Sequence, residues 1–126
     1  MITLICGHPR AGKTTYSRRF SCPVIHLDDN YSTANVLKKI KGITDDVVVE
    51  GIYYRPQQRR ELLSAYKGGG SLCICLDTPK ETREERLGYK LKHDYPFLIP
   101  TYDEGWDEII IIRGNDEQRI NRQRKD

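Results

Sequence analysis

The sequence has no apolar run near the ~20 residues that a membrane-spanning helix needs; stretches such as Ile109–Ile112 are only long enough for a strand. Neither sign of charge dominates. The 21 Lys and Arg against 18 Asp and Glu leave +3, which allows a polyanionic partner without demanding one. The four cysteines include no pair of C-x-x-C knuckles, and Cys73 and Cys75 lie two apart inside an apolar run, so Cys6, Cys22, Cys73 and Cys75 read as free thiols of a reducing compartment rather than a metal site. His8, His26 and His93 show no ligand spacing among themselves. No basic lead-in precedes the opening MITLIC, which runs straight into a glycine motif; this argues against a cleaved signal peptide and for a cytoplasmic location, the host cytoplasm if the chain is phage-encoded. Internal repeats and linkers are missing too, and 126 residues suffice for one core only. The expected organisation is a domain over residues 1–114 and a polar, basic tail over 115–126. RINRQRKD concentrates Arg119, Arg122, Arg124 and Lys125 there, as a solvated tail or as a nucleic-acid contact.

What is present is an alternation of short apolar runs and helical stretches. MITLIC, VIHLD, VVVEG, SLCICLD and DEIIIIRG are nearly continuous in apolar residues, the pattern of strands buried on both faces of a parallel sheet. Helices are predicted over Lys13 to Phe20; from a Ser32 or Thr33 cap through Val36, Leu37 and Ile40 to Gly42; and from Pro56 through Leu62, Leu63 and Tyr66 to the GGG breaker. A fourth starts at Thr78 as cap, with Pro79 and Glu81 completing a capping box. Five strands alternating with helices make an α/β fold with a parallel sheet covered on both faces. Residues 92–107, rich in Pro and aromatics, read as a loop over a site or a packed connection.

GHPRAGKTTY fits G-x-x-x-x-G-K-[ST], with Gly7, Gly12, Lys13 and Thr14 in the fixed places. A strand before it and a helix after it supply the context of a phosphate-binding loop. Backbone N–H groups from Gly7, His8, Pro9, Arg10, Ala11, Gly12 and Thr15 surround the anion where these residues have an N–H to give; Lys13 reaches the β and γ phosphates, and Thr14 holds Mg²⁺ through its hydroxyl. Arg10 and Ala11 stand where many such loops carry small residues. The expected cofactors are ATP and Mg²⁺.

Phosphoryl transfer needs more than a grip on ATP. Asp28 in HLDD falls just beyond the second strand, at the carboxyl edge where open parallel sheets bind ligands, and can accept a hydroxyl proton or order magnesium; capping the next helix is its other use, as for Asp29. Glu50 ends the third strand and can touch the metal shell through water, orient an acceptor, or pair with a buried arginine. Arg55, Arg59 and Arg60 read mainly as surface charges. In TPKETREERLGYK, a continuous helix puts Arg83, Arg86 and Lys90 on one face, as a lid over the phosphates or as surface partners of Glu84 and Glu85.

Taken in order, GHPRAGKTT, HLDD, VVVEGIYYRPQQRRELL, LDTPKETREERLGYK and PTYDEGWDEIIII resemble the polynucleotide 5′-hydroxyl kinases of bacteriophages and related small P-loop kinases. The resemblance implies an ATP-dependent kinase of three-layer P-loop NTPase fold with a five-stranded parallel sheet ordered 2-3-1-4-5. It implies Asp28 as general base, Lys13 and Thr14 at the nucleotide, Arg86 and Lys90 as lid charges, and Ile112 and Arg113 near the adenine. The chain departs from the family where Tyr31 replaces an arginine that holds the acceptor strand, and where Glu50 replaces the more usual aspartate. The implied acceptor is a hydroxyl of a nucleic acid or nucleotide. A base hydroxymethyl group, as in the phage kinases acting on 5-hydroxymethyluracil in DNA, stays open as the alternative, as do a nucleoside or small-metabolite kinase and a non-catalytic ATP-binding module. Tyr31, Tyr53 and Tyr54 offer aromatic faces for stacking a base, or for core packing.

Overall fold

The computed structural model describes residues 1–8, 11–27, 32–92, 97–113 and, for the backbone only, 116–120. Each apolar run becomes a strand: β1 (Ile2–Gly7), β2 (Val24–His26), β3 (Val47–Gly51), β4 (Ser71–Leu76) and β5 (Glu108–Arg113). They are parallel and lie in the order β2-β3-β1-β4-β5. β1 is central, with Cys6 level with Gly51 on one side and Cys75 on the other.

One strand was not foreseen. β6 (Asp116–Ile120) pairs antiparallel with β5, placing Arg113 opposite Asp116, so part of the expected tail extends the sheet to six strands. The remainder, 121–126, lies outside the described residues.

Alternation along the strands sends side chains to two cores. On one face Leu4, Cys6, Val49, Cys75, Ile109 and Ile111 pack under α2 (Thr33–Ile40), α3 (Pro56–Ala65) and Trp106. On the other, Ile5, Val48, Ile74 and Ile110 pack with Ala11, Tyr16 and Phe20, on the side of α1 (Lys13–Ser17). These are the three layers expected.

Helix ends follow local chemistry. Ser32 caps α2 by accepting the Asn35 N–H at 3.2 Å. α1 stops at Ser17 and not at Phe20. The Ser17 hydroxyl donates to the Thr14 carbonyl at 2.6 Å, and the next turn tightens, Arg19 N–H to Tyr16 O and Phe20 N–H to Ser17 O, before the chain enters β2. α4 (Lys80–Leu87) ends at Gly88, which takes a left-handed conformation with φ 81°.

Arg59, expected on the surface, is fully buried. Its Nε and one terminal nitrogen donate to the two Glu104 oxygens at 2.7 and 3.0 Å, and the other terminal nitrogen donates to the Tyr53 carbonyl at 2.6 Å. Trp106 Nε1 and the Thr101 N–H also donate to Glu104. Burial disfavours the guanidinium charge, but the Glu104 hydrogen bonds outweigh it and raise its pKa. The pair locks segment 101–106 onto α3. Tyr53 is also core and not an exposed stacking face, and it sits at φ 43°, a conformation rare outside glycine.

Candidate active site

The site grows from the carboxyl end of β1. Gly7 lies so close to β4 that a Cβ would fall 2.7 Å from the Leu76 carbonyl oxygen, so only glycine lets the chain leave the sheet here without displacing a neighbouring strand. Gly12, at φ 99°, turns the loop into α1 and is the second obligatory glycine of the motif.

Lys13 follows at the first position of α1 and is buried, its Nζ donating to the His8 carbonyl at 2.7 Å. The ammonium is thus folded across the loop it belongs to. Burial pushes its pKa down; the negative charge of Glu50 opposes that shift, and the Arg83 guanidinium adds to it. Thr14 is exposed, and its hydroxyl donates to Glu50 Oε2 over a long 3.4 Å. Glu50, buried near the end of β3, also meets Nδ1 of His26 through the same oxygen. Among the described residues Glu50 therefore meets threonine and histidine, with the Lys13 charge near enough to be felt.

The segment that leads into α4 supplies the opposite wall. Thr78 does not cap α4 with its side chain. Its hydroxyl donates instead to the Ala11 carbonyl at 3.0 Å, tying the segment to the phosphate loop. Arg83 is buried, with its Nε donating to the Thr78 carbonyl at 3.1 Å. Arg86 reaches Gly12, where a Cβ would lie 3.7 Å from its guanidinium. Because α4 ends at Leu87 and Gly88 reverses the chain, Lys90 does not continue the face of Arg83 and Arg86, as the uninterrupted helical spacing had required.

Between these walls lies a cavity of about 800 Å³ whose lining includes Gly12, Lys13, Thr14, Thr15, Glu50 and Arg86. Ile112 and Leu76 contribute apolar lining. Arg113 lies one residue further on, with its Nε donating to Asp77 at 2.8 Å. His8 packs its ring against Phe97 with centroids 5.3 Å apart. Asp28, Pro9, Arg10, Tyr31 and His93 lie outside the described residues.

An exposed hydroxyl and a carboxylate, both hard oxygen donors at the mouth of a phosphate loop, fit Mg²⁺, which binds through one or two protein groups and takes its other ligands from phosphate and water. Among the described residues no group of three or more His, Cys, Asp or Glu gathers into a metal cage.

Sequence reasoning missed three contributors. His26 gives no motif signal, and only its position level with Glu50 in the β2–β3 pairing marks it. Thr78 looked like a helix cap. Arg83 was grouped with the expected lid charges, but it is buried, with its Nε on the Thr78 carbonyl.

The chain is similar in fold to Kti12 of Chaetomium thermophilum, solved in complex with ADP-AlF3, with a TM-score of 0.70 and 16% identity, over 92% of this chain and 90% of that one. This establishes the P-loop NTPase type of fold, with its parallel strands in the order 2-3-1-4-5. No protein-family model and no curated protein matches the sequence. No helix among the described residues is long and apolar enough to cross a membrane.

Proposed function

We propose that this protein binds ATP with Mg²⁺ and transfers the γ-phosphoryl group to a hydroxyl of a nucleic acid or nucleotide. The observation that carries the reading is the convergence of Lys13, Thr14, Glu50 and Arg86 on one cavity above the phosphate loop. Kti12, similar in fold, holds ADP-AlF3.

In the proposed reaction the acceptor oxygen attacks the γ-phosphorus, the bond from that phosphorus to the β,γ-bridging oxygen breaks, and ADP leaves. Lys13 swings from the His8 carbonyl to the phosphates, exchanging a neutral acceptor for a charged one. Arg86 neutralises charge building on the transferred group. Thr14 and Glu50 are the residues that would hold Mg²⁺, which would supply positive charge to offset that of the phosphates. Asp28, two residues beyond the end of β2, takes the hydroxyl proton; its role rests on sequence position and on the family resemblance. Lys90, just beyond α4, and Arg113, next to Ile112 at the end of β5, are proposed to add outer nucleotide contacts.

Incubation with γ-labelled ATP and a panel of nucleosides, 5′-hydroxyl oligonucleotides and hydroxymethylated DNA tests the proposal. Label on an oligonucleotide end is the expected result. Label on a base would shift the acceptor to a modified base, and label on nucleosides alone to a small metabolite. ATP binding without any transfer would leave a binding module. Asp28→Asn is expected to remove transfer while ATP still binds.

A further inference from the structure

Glu50 Oε2 is approached by two donors from two different elements. The Thr14 hydroxyl reaches it from α1 at 3.4 Å, and the His26 imidazole reaches it through Nδ1 from β2. The second contact follows from the sheet itself, since His26 and Glu50 are register partners in the parallel β2–β3 pair and project to the same face. The carboxylate is only 9% exposed, whereas the imidazole keeps 42% of its surface in solvent. A buried carboxylate needs donors, and the contact with Thr14 is too long to fix its torsion alone.

We infer that His26 is a positioning residue for the metal side of the nucleotide site: it holds the Glu50 carboxylate from the β2 side, in the orientation that serves the Thr14 hydroxyl. The inference rests on the proposed function, because Thr14 and Glu50 matter as a pair only if Mg²⁺ and nucleotide bind there. Without the imidazole, Glu50 keeps one long hydrogen bond among the described residues and rotates in its pocket, and the oxygen pair that Mg²⁺ would meet is no longer set in advance. Partners that orient metal-binding groups are commonly worth about 10- to 100-fold in metal affinity. The grip on phosphate itself, made by Lys13 and the loop amides, does not pass through His26.

The test is binding of a fluorescent, non-hydrolysable ATP analogue to the full chain, in Mg²⁺ and in chelator. In His26→Ala the tightening that Mg²⁺ confers is expected to shrink about tenfold, with affinity in chelator unchanged. His26→Asn, whose amide places an N–H near the position of Nδ1, is expected to restore most of it. In the nucleotide-free protein, nitrogen NMR is expected to find a proton on His26 Nδ1 whose resonance moves in Glu50→Gln. The inference is overturned if the Mg²⁺ effect survives in His26→Ala, if affinity falls equally with and without the metal, or if Asn does no better than Ala. Should Ala fail to fold, the Asn variant and the NMR signal decide between the same outcomes. A wild-type chain that binds no nucleotide in either condition overturns the proposed function first, and this inference with it.

Discussion

The Thr78 hydroxyl donates to the Ala11 carbonyl at 3.0 Å, so the segment leading into α4 is tied to the phosphate loop by a side chain as well as through the sheet. Thr78→Val keeps the shape and removes the donor, leaving a loop carbonyl without its partner. A loss of about 1 kcal/mol in urea unfolding is expected, together with weaker nucleotide binding, and Thr78→Ser is expected to recover both.

Arg86 stands over Gly12 but holds up neither core, so its loss is expected to show in catalysis and not in folding. In Arg86→Gln, kcat for the labelled-ATP reaction is expected to fall about 10²-fold, with the affinity for Mg²⁺ and ATP little changed. Equal losses in kcat and in ATP affinity would assign Arg86 to ground-state binding instead.

Lys13 is a charge held in a poor place for stability. Its pKa in the folded chain lies below the ordinary 10.5, so the unfolded chain holds more protons there and stability rises with pH between the two values. Other groups titrate in this range, the Tyr66 hydroxyl among them, its pKa raised by burial and by Asp46 and Asp45. The difference between wild type and Lys13→Met isolates the lysine. At neutral pH the variant, free of nucleotide, is expected to be more stable by on the order of 1 kcal/mol and to have lost ATP binding, and the advantage is expected to shrink as pH climbs toward 10.5. Thermal unfolding across pH measures both.

The Arg59–Glu104 pair calls for the opposite expectation. Arg59→Met strands a buried carboxylate with the Trp106 and Thr101 N–H groups as remaining donors, and is expected to cost about 3–5 kcal/mol. The double variant Arg59→Met, Glu104→Gln is expected to recover a large part of that, because no unpaired charge remains. Denaturant midpoints of the two variants check this.

Tyr53 has a buried hydroxyl with no hydrogen-bond partner among the described residues, and burial raises its pKa. Tyr53→Phe removes that unmet group without opening a cavity and is expected to be neutral or to stabilise by up to about 1 kcal/mol. A marked destabilisation would show that the hydroxyl is satisfied in solution.

The parallel strands were legible because each strand interior is apolar on both faces, so the runs stand out from the charged helices between them; their order was implied by the family resemblance and not by the runs. The phosphate loop was legible because its spacing is fixed by backbone geometry. What escaped was decided by tertiary pairing. DEQRI carries one apolar residue, and its backbone becomes strand only because β5 offers it a ladder. Arg59 lies in a polar helix start, and nothing local says that Glu104, 45 residues on, will bury with it. His26 looks like any histidine in a strand until the register sets it beside Glu50. Lys90 follows the helical spacing of Arg83 and Arg86 on paper, but the left-handed Gly88 ends the helix before that spacing can act.

β5 and β6 form a hairpin joined by residues 114–115 alone, and its outer partner covers the main-chain groups of EIIIIR. A strand so rich in isoleucine, left with a bare row of N–H and C=O groups, is a template onto which other copies can add. Cutting the chain after Arg113 would therefore be felt first as clumping in concentrated solution, while the phosphate loop at the far end of the sequence stayed intact. β6 thereby acts as a guard on the solubility of the sheet it borders.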